Sequence, residues 1–283
     1  MNILTFDLEE WYLYGLYPKG GPNYYLPILD YYLDLLLDDL DSKHTIATFF
    51  CLGIIADKYP EVVRKIYRRG HEIGCHSNIH RMVHDMQSKE FYMDTLDAIN
   101  KIQQVIGDKV ISYRAPAFSI DKRSPWTFQI LSELGIKNDS SIFYTNDMSY
   151  YLENIDFDWP FIIHINDQEL KEFPISATRF GIFKGAYSGG GYFRAFPYSF
   201  TKRSMKNSDY NMCYFHIKDF DAKQIKIPGI RHFKSYIGIK NSYSKFKRLL
   251  DEFSFKSVRQ AVELIDWGSV RIIRKAVGQE TLS

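Results

Sequence analysis

The 283-residue chain is 45% hydrophobic and 25% charged, with a formal net charge of +2, an ordinary balance for a soluble globular protein with a sizeable core. That charge gives no general case for nucleic-acid binding, and no apolar run approaches a membrane span. The three cysteines, Cys51, Cys75 and Cys213, sit in separate apolar runs without Cys-x-x-Cys spacing, so they read as buried free thiols and not as a disulfide framework.

The N-terminus lacks a basic leader and meets Asp7 early, which predicts a cytoplasmic, soluble chain. Asn2 to Phe6 is a buried-type strand running into Asp7-Leu8-Glu9-Glu10. After a Gly/Pro-rich loop from Pro18 to Pro22, apolar residues at helical spacing predict a helix over Leu26 to Leu40. Thr45 to Leu52 is the next strand. Pro60 suits the first turn of a helix that Gly70 closes, and Glu72 to His76 forms the third strand. Ser88 opens an amphipathic helix to Ile106 without a capping box, and Gly107 ends it.

Val110 to Tyr113 is a strand entering Arg114-Ala115-Pro116. Ser124 and Pro125 suit the N-cap and first position of a helix ended by Gly135. Ile136 to Asp139 is a short strand. Phe161 to Ile165 and Leu170 to Ile175 alternate about Asn166-Asp167 and predict an inserted hairpin. Ser188 to Tyr192 reads as a flexible turn; its Gly189 to Gly191 run lacks the strand–helix setting of a phosphate loop. Pro197 to Lys206 is helical, Asn211 to Ile217 is a late strand containing His216, and Tyr243 to Asp251 and Ser257 to Ile265 are closing helices. The basic residues of the C-terminal third, such as Lys240, Lys247 and Arg259, read as a solvated helix face, with contact to an acidic or peripheral membrane surface as the alternative.

Strands alternating with helices predict one α/β barrel or doubly wound sheet, with chemistry at the C-terminal strand ends. Asp7, His76, Arg114, Asp139 and His216 all fall there. His76 and His80 are four residues apart. In a helical segment they share a face and begin a zinc-type site that needs a third ligand and an open position. Each residue alone has a plain alternative: packing histidines, a strand-end cap for Asp7, a structural ion pair for Arg114, a turn opener for Asp139. His84 continues the series, but a fourth ligand would close the site to water, so it reads as a helix-face residue. His71 reads as packing, and His44, His164 and His232 carry no signal. The 16% aromatic content suits either sugar-ring contacts or an aromatic-rich core, with Tyr187, Tyr192, Phe193 and Trp126 the cleft candidates.

Taken in order, Thr5-Phe6-Asp7, Ala47-Thr48-Phe49-Phe50, Tyr59-Pro60-Glu61, Arg69-Gly70-His71-Glu72-Ile73-Gly74, His76-Ser77-x-x-His80, Arg114-x-Pro116 and a late His216 resemble the polysaccharide deacetylases of carbohydrate esterase family four. Arg-Ala-Pro-x-Phe-Ser from Arg114, Asp139-Ser-Ser-Ile-Phe and Gly189-Gly-Gly-Tyr-Phe-Arg are similar to the branch that accompanies exopolysaccharide or surface-glycan gene clusters. The resemblance runs from residue 3 to about 265 and implies a single catalytic domain over 1–283. It implies a distorted (β/α) barrel, here with the hairpin inserted in its second half.

The resemblance further implies metal-dependent hydrolysis of an N-acetyl, less often O-acetyl, group on a sugar. The family's first motif carries two adjacent aspartates, the first a base and the second a metal ligand. Leu8 stands at the second position here, and Arg81 replaces a proline of the second motif. The ligand role therefore passes to Glu9, with Glu10 as the alternative. Strand alternation puts Asp7 and Glu9 on one face. Glu9, His76 and His80 are then the ligands of a divalent metal, zinc first, with cobalt, nickel, iron or manganese as alternatives. Asp7 is the base, held as a carboxylate by Arg114. The Ala117 backbone N–H completes the oxyanion site, and His216, supported by Asp139, protonates the departing amine.

The expected function is removal of acetyl groups from a sugar in a glycan or glycan precursor. The alternatives are hydrolysis of a non-sugar linear or cyclic amide, and a catalytically inactive carbohydrate-binding relative. The Leu8 departure motivates the second of these.

Overall fold

A computed structural model of the protein describes residues 1–9, 22–143, 158–180, 183–223 and 236–275. Glu10, His232 and the Gly/Pro-rich loop before Pro22 lie outside the described residues.

Strands β1 (Asn2–Leu8), β2 (Thr48–Cys51), β3 (Glu72–Cys75), β4 (Ser112–Tyr113) and β5 (Asn138–Asp139) lie side by side in parallel. Strand β10 (Asn211–His216) runs parallel to β1 on its other side, with Asp7 opposite His216. Strands β6 (Phe161–Ile165) and β7 (Gln168–Glu172) make the predicted hairpin, with Asn166 at a left-handed φ of +52° in its turn. This hairpin is not an appendage. β7 pairs in parallel with β5, and β11 (Ile272–Lys275) pairs in parallel with β6, giving the order β10-β1-β2-β3-β4-β5-β7-β6-β11. A second hairpin, β8 (Ala177–Phe180) with β9 (Phe183–Ala186), has no counterpart in the sequence-based elements.

Side-chain parity divides the sheet into two faces. Leu4, Phe6, Leu8, Phe49, Cys51, Ile73, Cys75, Tyr113, Cys213 and Phe215 join one buried apolar cluster with helix α1 (Pro22–Ser42), through Leu33, Leu36, Leu37 and Leu40. Helices α2 (Gly53–Lys58), α3 (Pro60–Arg68) and α4 (Ser88–Ile106) pack on the same side through Ile55, Val62, Ile66, Phe91 and Ile102. Each such side chain contributes about 1.5–3 kcal/mol when fully buried. The opposite parity, Thr5, Asp7, Thr48, Phe50, Glu72, Gly74, Ser112, Arg114, Met212 and His216, lines the interior of a distorted barrel. Gly74 is required there, because a Cβ would sit 2.7 Å from the Phe50 ring and 3.0 Å from Ser112 O.

Among the described residues no strand pairs β10 with β7. The gap is bridged by Ser176, whose Oγ accepts from Met212 N–H at 2.7 Å, and by Ser188, whose hydroxyl donates to Met212 O at 3.0 Å. Gly189 lies flat on the Tyr214 ring, where a Cβ would approach to 2.2 Å. The Ser188–Tyr192 run is thus a close-packed approach leading into helix α6 (Gly190–Ala195), not a flexible turn.

Helix α7 (Tyr198–Lys206) and the closing helices α8 (Ser242–Glu252) and α9 (Val258–Leu264) fall where the sequence places them. Gly70, Gly107 and Gly135 all have positive φ beyond helix ends. Two starts differ. Helix α4 is capped one residue earlier than Ser88, with Gln87 N–H donating to Glu90 Oε2 at 2.8 Å. Helix α5 (Thr127–Glu133) starts after Ser124-Pro125, because Ser124 O is used by the Thr127 hydroxyl at 2.8 Å in a preceding turn. All three cysteines are buried and free.

Candidate active site

The interior face of β1 carries Thr5 and Asp7, and Glu9 follows in the same row. Arg114, at the end of β4, reaches across the interior to this row. Its Nη1 donates to Thr5 Oγ1 and to Asp7 Oδ1, both at 2.8 Å. Its Nε donates to Ser140 O at 3.1 Å and its Nη2 to Ser140 Oγ at 2.9 Å. The guanidinium carbon stands 4.3 Å from the Phe50 ring centroid, and the side chain is fully buried. Every direction of the planar fork is used, so Asp7 is held in one orientation.

Glu9 lies next along the row and is buried. Its Oε2 faces two imidazoles, with His80 Nε2 at 2.6 Å and His76 Nε2 at 3.5 Å. Among the described residues the ligand atoms of Glu9, His76 and His80 all fall within 4.8 Å of one another. His76 donates its Nδ1–H to Arg114 O at 2.8 Å, which leaves the Nε2 lone pair on the Glu9 side. A buried carboxylate beside imidazole lone pairs is a donor set that fits a divalent ion such as zinc.

The two histidines meet by a different route from the helical one expected. His76 leaves β3, and Ser77 and His80 take left-handed φ values of +70° and +63°. The His80 N–H is caught by Ser77 Oγ at 3.0 Å. Ser77 O and Asn78 O accept from Gly53 N–H and Ile54 N–H at 3.0 Å each, so the loop is fastened to the start of α2. A tight loop, not a helix face, brings the rings together.

His216 ends β10 opposite Asp7, with its Nε2 3.1 Å from Glu9 Oε1 and 3.9 Å from Asp7 Oδ2. Its Nδ1–H donates to Asp219 Oδ2 at 2.9 Å, and its backbone N–H donates to the same oxygen at 2.9 Å. Asp219, not Asp139, is therefore the partner of His216. Asp139 stands in register with Tyr113 and Glu172 on the helix-facing parity, where its carboxylate takes the Ser141 hydroxyl at 2.6 Å and the Ser141 N–H at 3.2 Å. Arg194 Nε in turn lies 3.1 Å from Asp219 Oδ1. Burial and Lys218 push the His216 imidazole down, but Glu9 and Asp219 outweigh them and raise it to about 9. Burial pushes Asp219 up, and His216 with Arg194 more than offsets this and holds it below the usual carboxylate range.

Lys218, Asp219 and Arg194 are absent from the sequence-based set. Lys218 Nζ lies 2.5 Å from Glu9 Oε1. Burial raises the Glu9 carboxyl, but Lys218, then His216 and His80, hold it well below its ordinary value. Arg194 ends the Gly189-Gly-Gly-Tyr-Phe-Arg run, and for Lys218 and Asp219 the signal is nearness: His216-Ile-Lys-Asp219 turns through a 3-10 helix over Ile217–Phe220, which folds Asp219 back onto His216.

Of the remaining candidates, Ala117 is exposed on the turn after Arg114, at a left-handed φ of +48°. Phe118 N–H and Ser119 N–H donate to Ala115 O and Pro116 O at 3.0 Å each. His84 lies away from the ligand cluster, with Nδ1 2.9 Å from Ser119 O. Tyr187 and Phe193 are core residues and Trp126 packs on Phe91, whereas Tyr192 is exposed. It begins a chain of rings, Tyr192, Phe143, Phe118 and Tyr214, with neighbouring centroids 5.0–6.5 Å apart, that ends 6.3 Å from the His216 ring.

Residues 25–138 match the family model described as polysaccharide deacetylase, and residues 140–263 match a domain of unknown function. Chitin deacetylase 1 of Cryptococcus neoformans is 27% identical over 111 residues, 39% of this chain and 22% of that protein. A peptidoglycan-N-acetylmuramic acid deacetylase of Bacillus subtilis is 35% identical over 79 residues, 28% of this chain and 16% of that protein. This chain thus spans under a quarter of the length of those two curated relatives. A crystal structure from Mycobacterium smegmatis, assigned as a polysaccharide deacetylase, superposes with a TM-score of 0.65 at 18% identity, covering 98% of this chain and 93% of that one. The match over residues 25–138 makes that part of the chain similar to the polysaccharide deacetylases, and the whole chain shares the fold of the Mycobacterium smegmatis structure.

Proposed function

We propose that the protein is a divalent-metal-dependent deacetylase that hydrolyses the acetamido group of a sugar in a glycan or glycan precursor. The observation that carries this reading is the convergence of Glu9, His76 and His80 within 4.8 Å, with Asp7 and His216 alongside at strand ends. Glu9, His76 and His80 are the ligands in this reading. When bound, a divalent ion supplies Lewis acidity toward the acyl oxygen and a lower pKa for water.

The protein's own groups divide the remaining work. Asp7, aimed by Arg114, accepts the proton of the attacking water as its oxygen bonds to the acyl carbon. The Ala117 N–H donates to the acyl oxygen as charge develops there. His216, with Nδ1 tied to Asp219 and Nε2 turned inward, gives a proton to the sugar nitrogen as the C–N bond breaks. Acetate and the free amine are the products. Tyr192, the exposed end of the ring chain, offers an apolar face to the C–H side of a sugar ring, and the buried rings behind it hold it in place.

Acetate release tests the reading directly. N-acetylated chitin and peptidoglycan oligomers are compared with O-acetylated xylan and with small linear and cyclic amides. Release from an N-acetylated sugar that is lost in Asp7→Asn with metal content unchanged supports it. Release confined to the small amides overturns the sugar assignment. A cytoplasmic location belongs to the same proposal, and cell fractionation tests it.

A further inference from the structure

We propose that Lys218 is an internal counter-cation for Glu9: it balances this buried carboxylate when no metal is bound, and it weakens metal binding when one is. The inference rests on the metal-centre reading above. Glu9 is 1% exposed, and the Lys218 side chain is 9% exposed. A carboxylate so enclosed needs positive charge or strong donors within reach. Among the described residues Lys218 Nζ, at 2.5 Å from Oε1, is the cationic lysine or arginine atom that pairs with it.

The two carboxylate oxygens face different groups. Oε2 points at His76 and His80, while Oε1 points at Lys218 and His216. The ammonium therefore does not stand among the ligand nitrogens. A divalent ion entering on the Oε2 side shares one carboxylate with a lysine still on Oε1. Two like charges a few ångströms apart repel strongly in a water-poor interior.

Nor is Lys218 placed loosely. It lies in the 3-10 turn over Ile217–Phe220, which Asp219 pins by accepting the His216 N–H at 2.9 Å. The turn that aims His216 thus also delivers the ammonium. The chain tolerates an empty centre and holds its ion less tightly than the ligands alone would allow.

Lys218→Met and Lys218→Arg, each prepared with zinc and then stripped with chelator, test this beside the unaltered protein. Zinc affinity is measured by competition with a chromophoric chelator, and thermal unfolding is followed with and without zinc. Lys218→Met is expected to bind zinc more tightly, on the order of tenfold. Its metal-free form is expected to melt several degrees lower, with a larger gain in Tm on adding zinc. Lys218→Arg keeps the charge and is expected to track the unaltered protein. If metal-free Lys218→Met does not fold, recovery of a cooperative transition with zinc supports the proposal, and failure to recover overturns it. Equal zinc affinities and equal Tm gains in all three proteins overturn the role of Lys218 and leave the metal centre standing. Absence of zinc binding in all three overturns both.

Discussion

His216 and Asp219 are joined twice, since one carboxylate oxygen accepts both the ring Nδ1–H and the backbone N–H of the histidine at 2.9 Å. The ring tautomer and the turn that follows are therefore set by a single side chain. Asp219→Ala is expected to lower kcat for the proposed deacetylation by about 10²-fold with KM and metal content little changed, because the ring loses its orientation while the ligand cluster is untouched. A matching loss of bound metal would instead make Asp219 a support for the ligand cluster.

Arg114→Met removes the fork that holds Asp7 and leaves a buried carboxylate without its guanidinium. Breaking one side of such a pair costs about 3–5 kcal/mol. Denaturant titration should show that loss, and activity should fall even where the protein remains folded.

Glu172 and Asp139 are buried neighbours. Glu172 Oε1 accepts Ile142 N–H at 3.0 Å, and the Glu172 and Asp139 carboxyls lie within hydrogen-bond reach of each other. Burial first, then Asp139, raises Glu172 well above its usual value. A carboxyl raised on folding binds more protons in the native state than in the unfolded one. Its contribution is therefore full below the unfolded carboxylate pKa and declines as pH rises from there toward the raised native value. Glu172→Gln should flatten that decline when unfolding free energy is measured between pH 4 and 8. An unchanged slope would mean that the pair is ionised in the fold.

His76→Ala and His80→Ala should each abolish stoichiometric zinc binding, as judged by metal analysis after dialysis. Exposure to chelator should reversibly silence the unaltered protein. Retention of zinc in either variant would move the ligand set elsewhere.

Gly74→Ala places a methyl group against the Phe50 ring and Ser112 O inside the barrel. A cost of about 1–3 kcal/mol in thermal or chemical unfolding follows from overpacking. A neutral result would mean that the Phe50 ring moves aside easily.

Much of this arrangement is legible from residue order. Strand alternation alone puts Asp7 and Glu9 in one row, and the strand ends bring His76, Arg114 and His216 to the same rim. Register decided against Asp139, because one residue of phase sets it beside Tyr113 and Glu172 instead of with His216. The His76–His80 geometry depends on two left-handed residues, and spacing alone cannot distinguish that from a helix. Lys218 and Asp219 were hidden for another reason. Their importance comes from a 3-10 turn too short to leave a periodic pattern, and a lysine near a strand end usually reads as solvent-facing. The second hairpin and the serine bridges between Ser176, Ser188 and Met212 depend on contacts distant in the chain.

The parity of β1 has a consequence for how this protein can change. Toward its end Phe6, Asp7, Leu8 and Glu9 alternate between apolar and acidic, so a single-codon deletion between Asn2 and Asp7 would not merely shorten the strand. It would present Leu4, Phe6 or Leu8 to Arg114 and push carboxylates against the leucines of α1, exchanging the charged and apolar faces at a stroke. Length variation here is tolerable only in steps of two.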